Sequence, residues 1–446
     1  MKIFIETLGC PKNTVDSENM AALLEKGGHT MASSPDEADA IIVNTCAFIN
    51  DAKTESIDTI LEMAQYKQDP ETGEKQDKLL VVSGCLAQRY SEELYKEIPE
   101  ADILIGVNDY DHINDILSEH DKKGRLRYDT DAPQSYCEIP DRLTEPGSVS
   151  AYLRIAEGCD NVCSYCVIPS IRGHYRSRRM EDIQAEAEML AARGTKELII
   201  IAQDVTAYGK DLYDRLALPD LLRGLCKIDG IEWIRLLYCY EDSITDELIE
   251  TIRSEEKICK YIDIPLQHIS DRILTNMNRH STSASIKSTL AKLRGRIPGM
   301  HIRTTFIVGF PGETDEDYNE LADFVEEQKF DRLGVFAYSR EEGTPAAEMP
   351  DQIDEEIKEQ RRDEIMAIQR EISLAGNIAK VGRTLRVLVE EHCEDGTYMG
   401  RTEYDAPDID DGVIFTSDAE LEPGTFVNVE ITDAFDYDLT GKAITE

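Results

Sequence analysis

Up to about residue 350, the chain alternates short apolar runs with longer polar segments of helical period. In residues 1–120 the apolar runs indicate buried strands at 2–8, 40–45, 78–83 and 101–107. Strands that alternate with helices form parallel sheets, because each crossover must return the chain to the same end of the sheet. This part therefore predicts an open parallel α/β sheet domain.

The alternation resumes after residue 150. Candidate strands lie at 151–156, 197–202, 233–238, 261–264, 301–308 and 332–338. Six βα units without a second sheet predict a partial (β/α)6 barrel of the TIM type, whose chemistry lies at the carboxyl ends of the strands. A charged helix with isoleucines near every fourth residue follows at 351–375.

The end of the chain has a different pattern. Short apolar runs at 385–389, 413–415, 426–431 and 442–445, separated by glycine and acidic turns, predict an all-β barrel. From Ala375 onward, 5 Lys and Arg stand against 17 Asp and Glu, so this module carries −12. We therefore predict a first domain at 1–120, a proline-containing linker at 121–150, a central domain at 151–374 and a terminal barrel at 375–446.

The composition narrows the class of protein. Of the 446 residues, 41% are hydrophobic and 31% are charged, which excludes disordered and fibrous chains. Apolar runs are only a few residues long, and Glu6 interrupts the N-terminus, so we predict a cytoplasmic protein without a membrane span or signal peptide. The net charge of −41 disfavours phosphate backbones and favours cationic partners.

Three of the four predicted N-terminal strands end at a cysteine, in the pairs Gly9-Cys10, Thr45-Cys46 and Gly84-Cys85. Parallel strands present their carboxyl ends at one edge of the sheet, which is where ligands bind, so these thiols can converge there. The alternative is that they are small buried packing residues, as most free cysteines are. The remaining cysteines have no ligand spacing and are interpreted as packing residues: Cys137, Cys226, Cys239, Cys259 and Cys393.

A denser cysteine motif follows the first strand of the central domain, with Cys159, Cys163 and Cys166 at spacings of four and three. Three thiolates can bind three irons of one 4Fe–4S cubane. No fourth cysteine stands at a matching distance, so one iron keeps an open position where a substrate or cofactor binds. A zinc staple or unrelated core cysteines are the alternatives.

This triplet resembles the signature of the radical S-adenosylmethionine (SAM) superfamily. The resemblance implies that the open iron chelates SAM, which an electron cleaves to methionine and a 5′-deoxyadenosyl radical. It also implies that Tyr165 lies near the adenine. Further SAM contacts are expected at the ends of later strands: Gln203, Asp204, Gln267, His268 and Gly309.

The N-terminal trio, in the contexts Cys10-Pro11-Lys12-Asn13, Asn44-Thr45-Cys46 and Ser83-Gly84-Cys85, resembles the methylthiotransferases within that superfamily. The resemblance covers the whole chain, the last module being similar to TRAM domains. It implies a second 4Fe–4S cluster with three cysteine ligands and an open iron, to which an exogenous or cluster-bound sulfur is attached. That sulfur is methylated by a second SAM, and both clusters face one cavity.

Within the family, the residues after Cys10 and Cys46 are most similar to the branch that methylthiolates the β-carbon of an aspartate in a small-subunit ribosomal protein (S-twelve). The expected partners are this basic protein, alone or in the assembled subunit, and an electron donor such as a flavodoxin or ferredoxin. The acidic terminal module is not expected to bind nucleic acid. Two alternatives stay open: a methylthiotransferase acting on a tRNA adenosine, and a non-catalytic iron–sulfur scaffold or sensor.

One basic cluster follows the cysteine motif and comprises Arg172, His174, Arg176, Arg178 and Arg179. It is either a site that attracts an acidic target side chain or the SAM carboxylate, or a solvated loop.

Overall fold

The computed structural model describes residues 1–68, 76–133, 136, 138–139, 141–410 and 412–444. Its contacts divide the chain into two compact units, the first comprising 1–145, 156–178 and 341–344, and the second comprising 146–155, 179–340 and 345–446. Within the described residues, no helix combines the length and the apolar character needed to cross a membrane.

The first unit is built on a six-stranded sheet whose strands are all parallel. From edge to edge the strands are Thr30–Met31, Lys2–Thr7, Ala40–Thr45, Leu79–Gly84, Ile103–Ile105 and Leu126–Tyr128. The predicted open parallel sheet is therefore confirmed. The sequence did not indicate the two outermost strands, because they are only two and three residues long and partly exposed.

Both faces of this sheet are covered by helices, as the unbroken apolar strands require. Ile41 and Val43 point to one face, where they pack with Ile60. Their neighbours Ala40 and Ile42 point to the other face. The α-helices of this unit are Pro11–Lys26, Asn50–Gln65, Cys85–Arg89, Ser91–Glu97, Ile113–Lys123 and Ile168–Arg172.

The cysteine motif belongs to this unit. A ribbon of Ala156–Glu157 paired with Arg176–Ser177 brackets it, and Ile171 of the helix Ile168–Arg172 and its N-cap residue Val167 join the core over one face of the sheet. These apolar contacts explain why a segment that begins at Ala156, 28 positions after the sheet's last strand ends at Tyr128, folds against the sheet.

The second unit contains a second parallel sheet whose six strands follow one another in sequence order. They are Ser150–Arg154, Glu197–Ile201, Trp233–Leu236, Ile258–Gln267, His301–Val308 and Arg332–Ala337. The first and last strands are not paired with each other, so the sheet forms the predicted incomplete barrel. The α-helices of this unit are Met180–Ala192, Leu218–Leu225, Asp246–Ser254, Asp271–Asn276, Ser283–Arg296, Asp315–Gln328 and Glu355–Ile378.

The terminal module is a closed five-stranded barrel, which confirms the all-β prediction. Its strands are Thr384–His392, Tyr398–Thr402, Val413–Thr416, Phe426–Ala434 and Leu439–Ala443. The sequence did not indicate the strand Tyr398–Thr402, in which glycine and arginine interrupt the apolar pattern. Of the predicted last strand, Thr445 lies outside the described residues.

Buried charges join the terminal module to the amino ends of the barrel strands. Glu197, the first residue of its strand, has a fully buried side chain that accepts from Arg235 at 2.7 Å and from Arg401 of the module at 2.6 Å. Burial by itself would raise the pKa of Glu197, but the two arginines outweigh it and lower the pKa to about 2. The carboxylate is therefore ionised and paired at neutral pH.

The loop that follows Arg401 continues this contact across the sheet. Its four acidic residues contact the barrel strands: Asp405 pairs with Arg332, Asp408 accepts from Tyr152, Asp410 accepts from Tyr261 and faces Arg303, and Oε2 of Glu403 accepts from the N–H of Lys260. Residues 402–410 thus form a loop that packs over the amino-terminal parts of the barrel strands. Its carboxylates form ion pairs and hydrogen bonds with side chains of those strands.

Replacing Glu197 with Gln is expected to lower the free energy of unfolding by about 3 kcal/mol at pH 7, because it removes the carboxylate that pairs with the buried Arg235 and leaves Arg401 paired with Glu390 alone. The folded pKa of about 2 lies below the ordinary value of 4.5, so the stabilisation is complete above pH 4.5 and is lost as the pH falls through 2. Urea unfolding of the apoprotein across this range measures both effects. The matched control is Glu232→Gln, which breaks an exposed pair with Arg386 and should cost less than about 1 kcal/mol. Equal losses in the two variants would contradict the assignment.

Candidate metal centre

The three N-terminal cysteines stand where adjacent strands of the first sheet end. Cys10 precedes the helix Pro11–Lys26, Cys46 follows the strand Ala40–Thr45, and Cys85 opens the helix after Leu79–Gly84. Contacts between the loops bring the three together: Gly9 lies against Cys46, and Asn13 contacts both the carbonyl of Thr45 and, at 3.8 Å, the sulfur of Cys85. Burial and then the neighbouring Cys10 raise the pKa of Cys46. Burial raises the pKa of Cys85 to about 12, and Cys10 and Cys46 add to the rise while Arg172 opposes it.

Glycine before the cysteine allows this close approach in two of the three loops. Gly9 has φ +91°, and a Cβ built on it would lie 2.7 Å from the Cβ of Cys46 and 3.0 Å from its sulfur. Gly84 has φ +96°, and a Cβ there would lie 2.4 Å from Oδ1 of Asn44. A larger residue would therefore clash and strain the backbone at both positions.

Amide and hydroxyl side chains hold the loops in register. Nδ2 of Asn13 donates to the carbonyls of Leu8 at 2.8 Å and Thr45 at 3.0 Å. Asn44 in turn donates to the carbonyl of Asn13 at 2.9 Å. The hydroxyl of Ser56 accepts from the backbone N–H of Cys46 and donates to its carbonyl, each at 3.0 Å. Asn13, Asn44 and Ser56 thus hold the backbone around the cysteines in place.

The second cysteine set forms a compact loop in the same unit. Cys159 and Cys163 are buried and Cys166 is half-buried, as is Tyr165. The N–H of Cys159 donates to the carbonyl of Gly173 at 3.1 Å, and the N–H of Cys166 donates to the carbonyl of Cys163 at 3.1 Å. These bonds fix the two ends of the loop.

Arg172, six residues beyond Cys166, reaches the first cysteine set. Its Nη2 lies 2.8 Å from Oδ1 of Asn13, 3.0 Å from Oδ2 of Asp16 and 3.5 Å from the sulfur of Cys85. Its Nη1 lies 2.9 Å from Oε2 of Glu157, two residues before Cys159. Local sequence patterns do not reveal this contact, because Asn13 lies 159 positions before Arg172.

The side chains of the basic cluster differ in their exposure to solvent. The side chain of His174 is 98% exposed and that of Arg179 is 68% exposed, as a solvated loop requires. Arg172, Arg176 and Arg178 are buried instead, so the solvated-loop interpretation is wrong for these three.

The donor sets fit iron–sulfur clusters. Each consists of three cysteines, and the ten cysteines of the described residues are all thiols, Cys137 lying outside that part of the chain. In the same part, no group of three His, Cys, Asp or Glu side chains closes around a single ion. The thiolates that bind a cubane lie farther apart than the ligands of a single ion, because each thiolate binds a different iron. Burial raises the pKa values of Cys46 and Cys85, and bound iron would displace the protons that these two thiols then keep.

The expected SAM contacts of the second unit lie at the carboxyl ends of its strands. Gln203 and Asp204 follow the strand Glu197–Ile201, and Asp204 accepts from the hydroxyl of Thr206 at 2.6 Å and the N–H of Ala207 at 3.1 Å. Gln267 ends its strand with φ +72°, a conformation that is strained for a residue with a side chain. Contacts of SAM with Gln203, Asp204 and Gln267 remain predictions.

Gly309 and His268 share a buried carboxylate that the sequence analysis did not single out. Oε2 of Glu313 accepts from the N–H of Gly309 at 2.9 Å and lies 3.5 Å from Nε2 of His268, while Oε1 pairs with Arg361 at 2.6 Å. A Cβ at Gly309 would lie 2.2 Å from Cγ of Lys358. Glu313 therefore anchors the loop after the strand His301–Val308, and Nε2 of His268 lies beside this carboxylate without a hydrogen bond to it.

Comparison with known proteins gives three successive family matches along the chain. Residues 2–106 match the uncharacterized protein family UPF0004, residues 153–325 match the radical SAM superfamily, and residues 381–444 match the TRAM domain. Among solved structures, the radical SAM methyltransferase TsrM from Kitasatospora setae has a TM-score of 0.57 over 78% of this chain and 77% of its own, at 14% identity. The fold and the cysteine triplet thus define a radical SAM enzyme with a TRAM domain.

Two curated relatives extend over the full length. Ribosomal protein uS12 methylthiotransferase RimO of Geotalea uraniireducens is 50% identical over 99% of this chain and 98% of the relative. The protein of the same name from Clostridioides difficile is 51% identical over 100% of this chain and 99% of the relative. The chain therefore belongs to the RimO family of radical SAM methylthiotransferases, which confirms the resemblance drawn from the cysteine motifs.

Proposed function

We propose that this enzyme transfers a methylthio group to the β-carbon of an aspartate in ribosomal protein uS12. The proposal depends on one observation. About half of the residues of this chain are identical, over the full length, to those of enzymes that are named for that substrate. Three cysteines converging at one sheet edge support it further, because a simple radical SAM enzyme needs only one cysteine triplet.

In this proposal Cys159, Cys163 and Cys166 hold one 4Fe–4S cluster, and Cys10, Cys46 and Cys85 hold a second. When bound, the two clusters and SAM supply the hydrogen-abstracting radical and the methylated sulfur. The SAM contacts are assigned to Tyr165, Gln203, Asp204, Gln267, His268 and Gly309. The sulfur comes from an exogenous or cluster-bound source, and electrons come from a donor such as a flavodoxin or ferredoxin.

The protein's own groups fix the ligands and exclude water. Ser56 holds the backbone of Cys46 from both sides, and Asn13 ties the first loop to the second. Four of the six proposed ligands are buried, so water has little access to their sulfurs: Cys46, Cys85, Cys159 and Cys163. Exclusion of water matters here because a carbon radical and a low-potential cluster both react with competing partners.

The charge of the terminal module supports a basic protein as substrate. Of its five cations, Arg401 is buried against Glu197, Arg386 pairs with Glu232 and Lys442 pairs with Asp418, which leaves Lys380, bonded to Asn377, and the exposed Arg383. A tRNA-binding face needs unpaired cations to neutralise phosphates. Exposed carboxylates on this module suit a basic ribosomal protein instead, and they include Glu391, Glu394, Asp395, Glu420 and Glu422. We place the reaction in the cytoplasm, where such a substrate is made.

Mass spectrometry of uS12 and of total tRNA from cells that lack the gene tests the substrate. We expect uS12 to lose the mass of one methylthio group and to regain it when the gene is restored, with tRNA unchanged. Loss of a methylthio group from tRNA with uS12 intact would overturn the assignment in favour of the tRNA enzyme. Absence of 5′-deoxyadenosine when reduced enzyme meets SAM would favour a non-catalytic scaffold.

A further inference from the structure

Arg172 is a buried cation beside the first cysteine set. Its side chain is 3% exposed, and a buried charge is tolerated only where it is paired and hydrogen-bonded. Its partners are Asp16, Asn13 and Glu157, and the sulfur of Cys85 lies 3.5 Å from the same Nη2 that contacts Asp16 and Asn13. One guanidinium thus joins a candidate iron ligand to two carboxylates.

The shape of the guanidinium matters as well as its charge. Its planar fork directs Nη1 toward Glu157 and Nη2 toward Asp16 and Cys85, whereas a lysine would present one compact ammonium. Glu157 and Arg172 bracket the second cysteine loop, so the guanidinium ties both ends of that loop to the first cysteine set. All these residues belong to the first unit.

We propose that Arg172 is a positioning residue that holds the sulfur of Cys85 and favours the reduced form of the cluster on Cys10, Cys46 and Cys85. The inference rests on the proposed function, which supplies that cluster. On reduction the cluster gains one electron from a low-potential donor of the flavodoxin or ferredoxin type; no bond breaks and no proton moves. A cation close to a ligand sulfur stabilises the added negative charge, since cluster potentials follow local charge and hydrogen bonds to sulfur.

Substitutions on the two sides of the ion pair must then act in opposite directions. Arg172→Gln removes the cation and disfavours reduction. Asp16→Asn removes a neutralising carboxylate, leaves more positive charge facing Cys85 and favours reduction. Arg172→Lys keeps the charge but loses the fork, so its cluster potential should lie between those of the parent and Arg172→Gln. A residue that only packed the two segments together would not produce this reversal of sign.

The experiment uses the full chain with Cys159, Cys163 and Cys166 changed to Ala, so that a single cluster gives the signal. After anaerobic reconstitution, iron per chain is measured, and a redox titration is followed by electron paramagnetic resonance. We expect Arg172→Gln to lower the ratio of reduced to oxidised cluster at a fixed potential at least tenfold, about 59 mV for one electron. Asp16→Asn should raise that ratio. The control Arg125→Gln, at a site where the guanidinium binds three backbone carbonyls, should not change it.

The outcomes separate the two proposals. If the triple-Ala chain holds no cluster, the proposed second cluster is wrong and this inference falls with it. If the cluster forms but both variants leave the potential unchanged, or shift it in the same direction, only the role of Arg172 is overturned. If Arg172→Gln does not fold, Asp16→Asn decides alone: a higher ratio supports the role, and an unchanged or lower ratio overturns it.

Discussion

Cys163→Ala is expected to abolish SAM cleavage. Cys163 is one of three proposed ligands of the SAM-binding cluster and is buried in a loop that the bonds of Cys159 and Cys166 fix at both ends. Loss of partners one shell beyond a metal typically costs about 10–100-fold, so loss of a ligand should cost more than about 100-fold. The measurement is 5′-deoxyadenosine formed from SAM by reconstituted, reduced enzyme.

The matched control is Cys226→Ala, which removes a half-buried thiol from the second unit. It should keep parental 5′-deoxyadenosine formation and parental iron content. Cys163→Ala should fall from about eight iron atoms per chain to about four, because the other cluster remains. Undiminished 5′-deoxyadenosine formation in Cys163→Ala would remove this thiol from the proposed ligand set.

Cys46→Ala is expected to separate the two halves of the reaction. SAM cleavage should persist, because the other cysteine set is intact, while the methylthiolated product should fall below detection. Iron should again drop to about four atoms per chain. The loop should keep its shape, since Ser56 binds the backbone N–H and carbonyl of Cys46 rather than its sulfur.

Mass spectrometry of a uS12 substrate, together with 5′-deoxyadenosine quantified in the same reaction, measures both halves at once. Cys393→Ala, at a half-buried thiol in the terminal barrel, is the matched control and should change neither product. If Cys46→Ala still yields methylthiolated uS12, the first cysteine set does not carry the sulfur and the second cluster must be abandoned.

The position of the first cysteine set could be predicted because it depends on local patterns. Apolar runs ending at Cys10, Cys46 and Cys85 imply adjacent parallel strands, and such strands end at one edge of their sheet. The short edge strands Thr30–Met31 and Leu126–Tyr128 escaped prediction, since two or three partly exposed residues show no period.

Contacts that depend on distant residues could not be predicted. Nothing near Arg172 in the sequence indicates that it turns back to Asp16, and nothing near Glu197 indicates a partner at Arg401, 204 positions away. Charged residues in a run usually imply a solvated surface, so burial of Arg172 and Arg178 contradicted the pattern. Such pairs arise only when packing brings separate elements together.

The loop at 402–410 has a practical consequence for experiments that shorten the chain. Deleting the terminal module would remove Asp405, Asp408 and Asp410 from Arg332, Tyr152 and Tyr261, and would expose the Arg235–Glu197 pair, which is now fully buried, to water. Loss of activity in a truncated enzyme would therefore have two causes that the experiment does not separate. One is destabilisation of the barrel, and the other is loss of substrate binding by the module. Charge reversal at the exposed carboxylates of the intact module isolates its contribution cleanly.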